Sequence, residues 1–193
     1  MTQGARLVLA AGALVVVAIV VAGLLLVGKP FRFARPPTNV AAVVPQVAPP
    51  VPGRKIKARL FYVTDDGMRL VSVERDVPFG EGTVGQAWQI VEAQIAPVAE
   101  PFISAVPAGT MLRAVFASEA GEVFVDLSKE LAGLHPGGSM NETLTVYTLV
   151  NTLTTNLPAV TAVQILVEGK EVETLAGHID LRRPLEKNLS WVQ

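Results

Sequence analysis

The sequence predicts an α+β fold: an antiparallel or mixed β-sheet with two helices packed on one face, preceded by one transmembrane helix. Three observations carry that reading. Short runs of period-two alternation recur through residues 54–193, two stretches with helical spacing fall between them, and the first thirty residues hold a long uncharged apolar run. The order strand-strand-helix-strand-strand-helix-strand puts both helices over one sheet.

From Leu7 to Gly28 the chain carries no charge and is bounded by Arg6 and Lys29. A helix of that length spans about 33 Å, enough for a hydrocarbon core of about 30 Å. A cleaved secretory signal needs only about 7 to 15 apolar residues, so length favours an uncleaved anchor over 7–28 behind a short segment, 1–6. The absence of cysteine removes a lipidated anchor, disulfides, thiolate nucleophiles and Cys-based zinc sites. Residues 29–53 contain seven of the fourteen prolines and read as a semi-rigid extended linker. Charge counting about the span (Lys29, Arg32 and Arg35 against Arg6 and the amino terminus) leans toward a cytoplasmic C-terminal part.

Residues 54–193 hold 12 basic and 17 acidic residues, a formal charge of −5, which disfavours nucleic acid as a partner. Residues 56–64 alternate, with Ile56, Ala58, Leu60 and Tyr62 on one face. Residues 69–77 do the same, and Asp65-Asp66-Gly67 joins the two as a hairpin. Thr83-x-x-Gln86 reads as a capping box before a helix whose Val84, Ala87, Trp88, Val91 and Ile95 form a core stripe ended by Pro97. Residues 106–110 are a turn; 111–118 and 123–128 form a second hairpin. Ser139-x-x-Glu142 is a second capping box, opening a helix to about Asn156 with Leu144, Tyr147, Val150 and Leu153 inward. Residues 162–175 read as a strand, a tight Gly169-Lys170 turn and a short strand, and 177–184 as an ordered tail laid on the fold.

Ser139, His178 and Asp126 supply the residue types of a hydrolytic triad, but Ser139 is better explained as an N-cap and no Gly-x-Ser-x-Gly elbow is present. His135 and His178 are the only histidines, without metal-ligand spacing. No catalytic residue, metal or cofactor is expected. Candidate ligand- or partner-binding residues are Gly137, Gly138 and Ser139, whose backbone amides at a helix start suit an anion, with Asn151 in mid-helix, Asp126 opposite Val125 and Leu127, and His178.

The blocks Ala105-Val106-Pro107-Ala108-Gly109-Thr110, Val123-Phe124-Val125-Asp126-Leu127-Ser128, Gly137-Gly138-Ser139 with Glu142, Val150-Asn151-Thr152-Leu153-Thr154 and Val167-Glu168-Gly169-Lys170, followed by Glu173-Thr174-Leu175-Ala176-Gly177-His178-Ile179-Asp180, stand in an informative order. Together they resemble the GerM-type domain of bacterial sporulation and spore-germination proteins, across essentially all of 56–187. The resemblance implies a ring-building-motif-like α+β fold, an extracytoplasmic (periplasmic) place behind a membrane or lipoprotein anchor, a role in assembling envelope complexes, and no established catalysis. This chain has one such domain where the germination protein has two, and a transmembrane anchor where that protein has a lipidated cysteine.

The expectation is therefore a single-pass cytoplasmic-membrane protein whose 54–193 domain lies outside the cytoplasm. It docks other envelope or membrane proteins, or itself, through sheet edges and helix faces. The alternative is a small-ligand or cell-wall-glycan binder using the 135–139 loop. That alternative requires a concave site of a few hundred Å³ lined by convergent polar groups.

Overall fold

A computed structural model describes residues 48–193. The expected membrane span at 7–28 and most of the 29–53 linker lie outside those residues. Among the described residues, no helix is long and apolar enough to cross a membrane.

Strands β1 (Lys55–Val63) and β2 (Leu70–Pro78) pair antiparallel, with Lys57 opposite Asp76 and Tyr62 opposite Val71. Helix α1 (Gly82–Ile95) follows, then β3 (Leu112–Ala117) and β4 (Glu122–Leu127), a second antiparallel hairpin. A single turn of helix, α2 (Glu130–Gly133), precedes the long α3 (Ser139–Asn156). α3 returns the chain to β5 (Ala162–Val167), which lies parallel to β4. β6 (Lys170–Glu171) and β7 (Leu185–Glu186) each pair antiparallel with β5, and a 3₁₀ turn, Leu189–Trp191, leads to Val192 and Gln193, which lie against Leu70.

The strands form two sheets where the sequence suggested one: β1-β2 alone, and β3-β4-β5-β6 with β7 on β5. The reason lies on the free edge of β1. Its outward amides at Arg59, Phe61 and Val63 are taken by Asn156 Oδ1 at 2.7 Å, Gln94 Oε1 at 2.8 Å and the Ile103 carbonyl at 2.8 Å. Asn156 and Gln94 also donate to the carbonyls of Arg59 and Phe61, so helix side chains stand where a neighbouring strand would.

One apolar cluster spans both sheets. It joins Ala58, Leu60 and Tyr62 of β1, Ile90 and Val91 of α1, Leu149 and Leu153 of α3, and Val125 and Ile165 of the larger sheet. Period two thus places the β1 residues as expected. Phe61 on the opposite face is also buried, in a second cluster with Leu70 and Leu144 that Trp191 and Val192 cover.

Neither capping box forms. α1 starts at Gly82 and its N-cap, Glu81, makes no side-chain cap bond. Gln86 instead bridges back, accepting from Gly80 N at 3.1 Å and donating to the Pro78 carbonyl. A Cβ at Gly80 would lie 2.2 Å from the Gly85 carbonyl oxygen, so the first turn of α1 packs directly on backbone there. At α3 the N-cap is Gly138, again without a side-chain bond, and Ser139 is the first helical residue. The β5–β6 turn is Glu168-Gly169, one residue earlier than read from sequence, with φ of 54° and 74° as a type I′ turn requires.

Candidate functional site

The first turn of α3 gathers most of the candidate residues. Gly137 and Gly138 hold φ of 79° and 85°, and Gly137 N donates to His135 Nδ1 at 3.0 Å. His135 Nε2 lies 3.2 Å from Thr145 Oγ1, which also donates to the Ala105 carbonyl at 2.7 Å. Ser139 is exposed; its carbonyl accepts from Thr143 Oγ1 at 2.7 Å.

The centre of this region is a residue the local pattern concealed. Glu142 is fully buried and does not reach back to its own helix start. It accepts amides from Leu175 at 2.8 Å, Ala176 at 3.0 Å and His178 at 2.8 Å, and its Oε2 lies 3.1 Å from His178 Nδ1. Burial pushes its carboxyl up, but the amides of Ala176, Leu175 and His178, and then the His178 ring, outweigh that and hold it below the usual carboxylate range. Burial pushes His135 down from the usual imidazole value, partly opposed by the Glu142 charge. One buried carboxylate thus ties the start of α3, which follows the 135–139 loop, to the 174–178 loop. The sequence holds a glutamate at a helix start and, far downstream, Leu-Ala-Gly-His, of which the Leu175, Ala176 and His178 amides go to that glutamate and the Gly177 amide to Thr174 Oγ1.

Asp126 and Asn151 belong elsewhere. Asp126 is buried rather than solvated, accepting Gly169 N at 2.7 Å and lying 3.5 Å from Arg113 Nε. Arg113 Nη1 also meets Glu168 at 2.6 Å. Asn151, fully buried, clamps the tail, donating to the Asn188 carbonyl at 2.8 Å and accepting its amide at 2.9 Å. His178 pairs with Glu142 while Asp126 pairs with Arg113 and Gly169, so no Ser139-His178-Asp126 relay is assembled.

A concavity of about 580 Å³ is lined by Ile95, Val98, Phe102, Ile103 and Met111. Its hydroxyls are engaged locally: Thr110 donates to the Pro107 carbonyl and Ser104 to that of Val106. A smaller depression of about 280 Å³ touches Pro136, Asn141 and Leu144 but not Gly137, Gly138 or Ser139.

A two-sheet α+β core under two helices, with a buried carboxylate tying the second helix to the tail, defines a small non-Rossmann module. The family model described as sporulation and spore germination (Germane) matches residues 59–173, more than half of the chain, and the chain belongs to that family. Solved structures share the fold. A Clostridium perfringens chain designated a lipoprotein is 21% identical, with TM-score 0.50, over 73% of this chain and 93% of that one. The first GerMN domain of the Bacillus subtilis sporulation protein GerM is 21% identical, with TM-score 0.51, over 68% of this chain and 97% of that one. The tandem GerMN domains of the same protein are 19% identical, with TM-score 0.50; the match covers 71% of this chain but 46% of that one. The comparison with curated proteins gives no match.

Proposed function

We propose that this chain is an extracytoplasmic interaction module, anchored in the cytoplasmic membrane by 7–28 and carried on the 29–53 linker, that helps assemble an envelope complex of the sporulation and germination type. Its work is binding rather than catalysis. The observation that carries this reading is how the buried and half-buried polar side chains are used. Glu142, His135, Asn151 and Asp126 each bind backbone of the same chain, which holds loops in place and leaves no convergent reactive set. The Germane membership and the fold shared with a lipoprotein-designated chain support an envelope setting. The ligand-binding alternative has less support, because the depression beside the 135–139 loop does not include the glycine amides.

Topology is the first test. Alkaline phosphatase fused after Gln193 is expected to be active and green fluorescent protein at the same site dark. The reverse pattern overturns the extracytoplasmic placement. Broad esterase, peptidase and glycosidase screens are expected to give nothing above buffer. Activity lost together in Ser139→Ala and His178→Ala, with folding intact, overturns the binding-only reading.

A further inference from the structure

Both long helices pack on the same side of the five-stranded sheet, through Val123, Val125, Val163 and Ile165. Strand alternation and register place other residues on the opposite face, in three cross-strand rows. They are Glu122–Ala162–Glu186, Phe116–Phe124–Gln164, and Ala114–Asp126–Leu166–Glu171. Phe116, Phe124 and Leu166 are half-buried and pack into neither apolar cluster. Gln164, at the end of the middle row, is buried and donates to the Leu181 carbonyl, so the tail covers that end of the face. The aromatic pair and the leucine lie on the remainder, which no helix covers.

Carboxylates surround these apolar side chains. Glu122 and Glu186 end one row, and Glu171, with Asp126 and the adjoining Glu168, marks the other side. Arg113 at the β3 bulge is committed to Asp126 and Glu168. Among the described residues, Glu122, Glu171 and Glu186 enter no ion pair. A second copy docked on this face would set like charge against like charge, and an anionic lipid surface would be repelled in the same way. A surface with apolar side chains flanked by lysine or arginine would bury the aromatic pair and neutralise the rim.

We propose that this open sheet face is the docking surface of the module and that its occupant is a basic protein segment, with aromatic or aliphatic residues flanked by cations. This rests on the interaction-module reading and adds the chemistry of the partner.

The test uses the full chain in detergent and two synthetic probes, acetyl-KFKVKFK-amide and its acidic counterpart acetyl-EFEVEFE-amide, followed by amide chemical-shift mapping. The basic peptide is expected to shift the amides of Phe116, Phe124 and Leu166 and those of Glu122, Glu171 and Glu186, and the acidic one to shift none of them. Phe124→Ser is expected to weaken binding at least tenfold. The double variant Glu122→Lys with Glu186→Lys, which leaves the apolar centre intact, is expected to do the same. Far-ultraviolet circular dichroism confirms the fold of each variant. Basic-peptide shifts scattered over the surface, or affinity unchanged in both variants, overturn the proposal. So does concentration-dependent dimerisation in sedimentation that Phe124→Ser abolishes, or phosphatidylglycerol vesicles binding through this face. Shifts confined to the 135–139 and 174–178 loops overturn this surface while leaving the interaction-module reading in place.

Discussion

The side-chain amide of Gln94 binds the backbone of Phe61 as a neighbouring strand would, with Nε2 2.8 Å from the Phe61 carbonyl oxygen and Oε1 2.8 Å from its amide nitrogen. Thr152 Oγ1 also donates to that Oε1, at 2.8 Å. All three residues are buried, so one side chain satisfies backbone of β1 and a hydroxyl of α3 together. Gln94→Leu keeps the volume and strands the Phe61 amide and carbonyl, at about 1–3 kcal/mol for each buried group left unpaired. The urea midpoint is expected to fall accordingly. An unchanged midpoint would mean that water or a shifted strand replaces the amide.

Trp88 lies on the α1 stripe that helical spacing predicts, yet it is only partly buried against the core. Ile90, off that stripe, is fully buried. Trp88→Ala is therefore expected to cost no more than the low end of about 3–5 kcal/mol, and Ile90→Ala about 2–5 kcal/mol. Paired urea melts decide the matter. A tryptophan variant that melts at the wild-type midpoint would mark Trp88 as a surface side chain available to a partner rather than core filling.

The β5–β6 turn separates two kinds of charge. Asp126 is buried and holds the Gly169 amide, whereas Glu168 is exposed and holds Arg113 from a left-handed backbone conformation. Asp126→Ala is expected to cost about 1–3 kcal/mol through the stranded amide and the loss of its share of Arg113. Glu168→Asn loses a solvent-screened pair and an exposed acceptor for the Lys129 amide while gaining a residue suited to positive φ, so its melt is expected to stay near wild type. Equal losses in the two would show that the Arg113–Glu168 pair, not the Asp126–Gly169 bond, holds the turn.

Much of this was legible because alternation and helical spacing are local. Ala58, Leu60 and Tyr62 face the core as period two requires, and α3 runs to Asn156. What local spacing cannot carry is the destination of a polar side chain. Ser139-x-x-Glu142 has the same form whether the glutamate caps its own helix or crosses to Leu175. Asp126 sits on the side of its strand opposite Val125 and Leu127, as alternation requires, but its partners, Gly169 and Arg113, are not its neighbours in the alternating pattern. A usable signal did exist. Gln94 falls three residues after Val91 and seven after Ala87, an amide on an apolar stripe, and such a residue needs a buried partner. The separation into two sheets follows from two such amides, Gln94 and Asn156, which pairing rules for strands do not include.

The buried carboxylate gives the module a defined response to acid. His135 is held below its ordinary value in the fold, so the unfolded chain takes up a proton first as pH falls through about 6.5. Stability due to that histidine is complete above this pH and declines below it until the folded imidazole also protonates. Glu142 is likewise held below its ordinary value, so its contribution is full above about 4.3 and is lost as pH falls through the folded value. Both act in one direction: acid destabilises, in an upper and a lower limb. Glu142→Gln is expected to lower stability at pH 7 by about 1.5–3 kcal/mol, to flatten the lower limb and to speed amide exchange at Leu175, Ala176 and His178. His135→Asn should remove the upper limb and spare the lower. Urea midpoints from pH 7.5 to 3.5, with exchange at those three amides, measure each effect. A Glu142→Gln chain with the wild-type acid profile would show that the 174–178 loop is held by something other than this carboxylate.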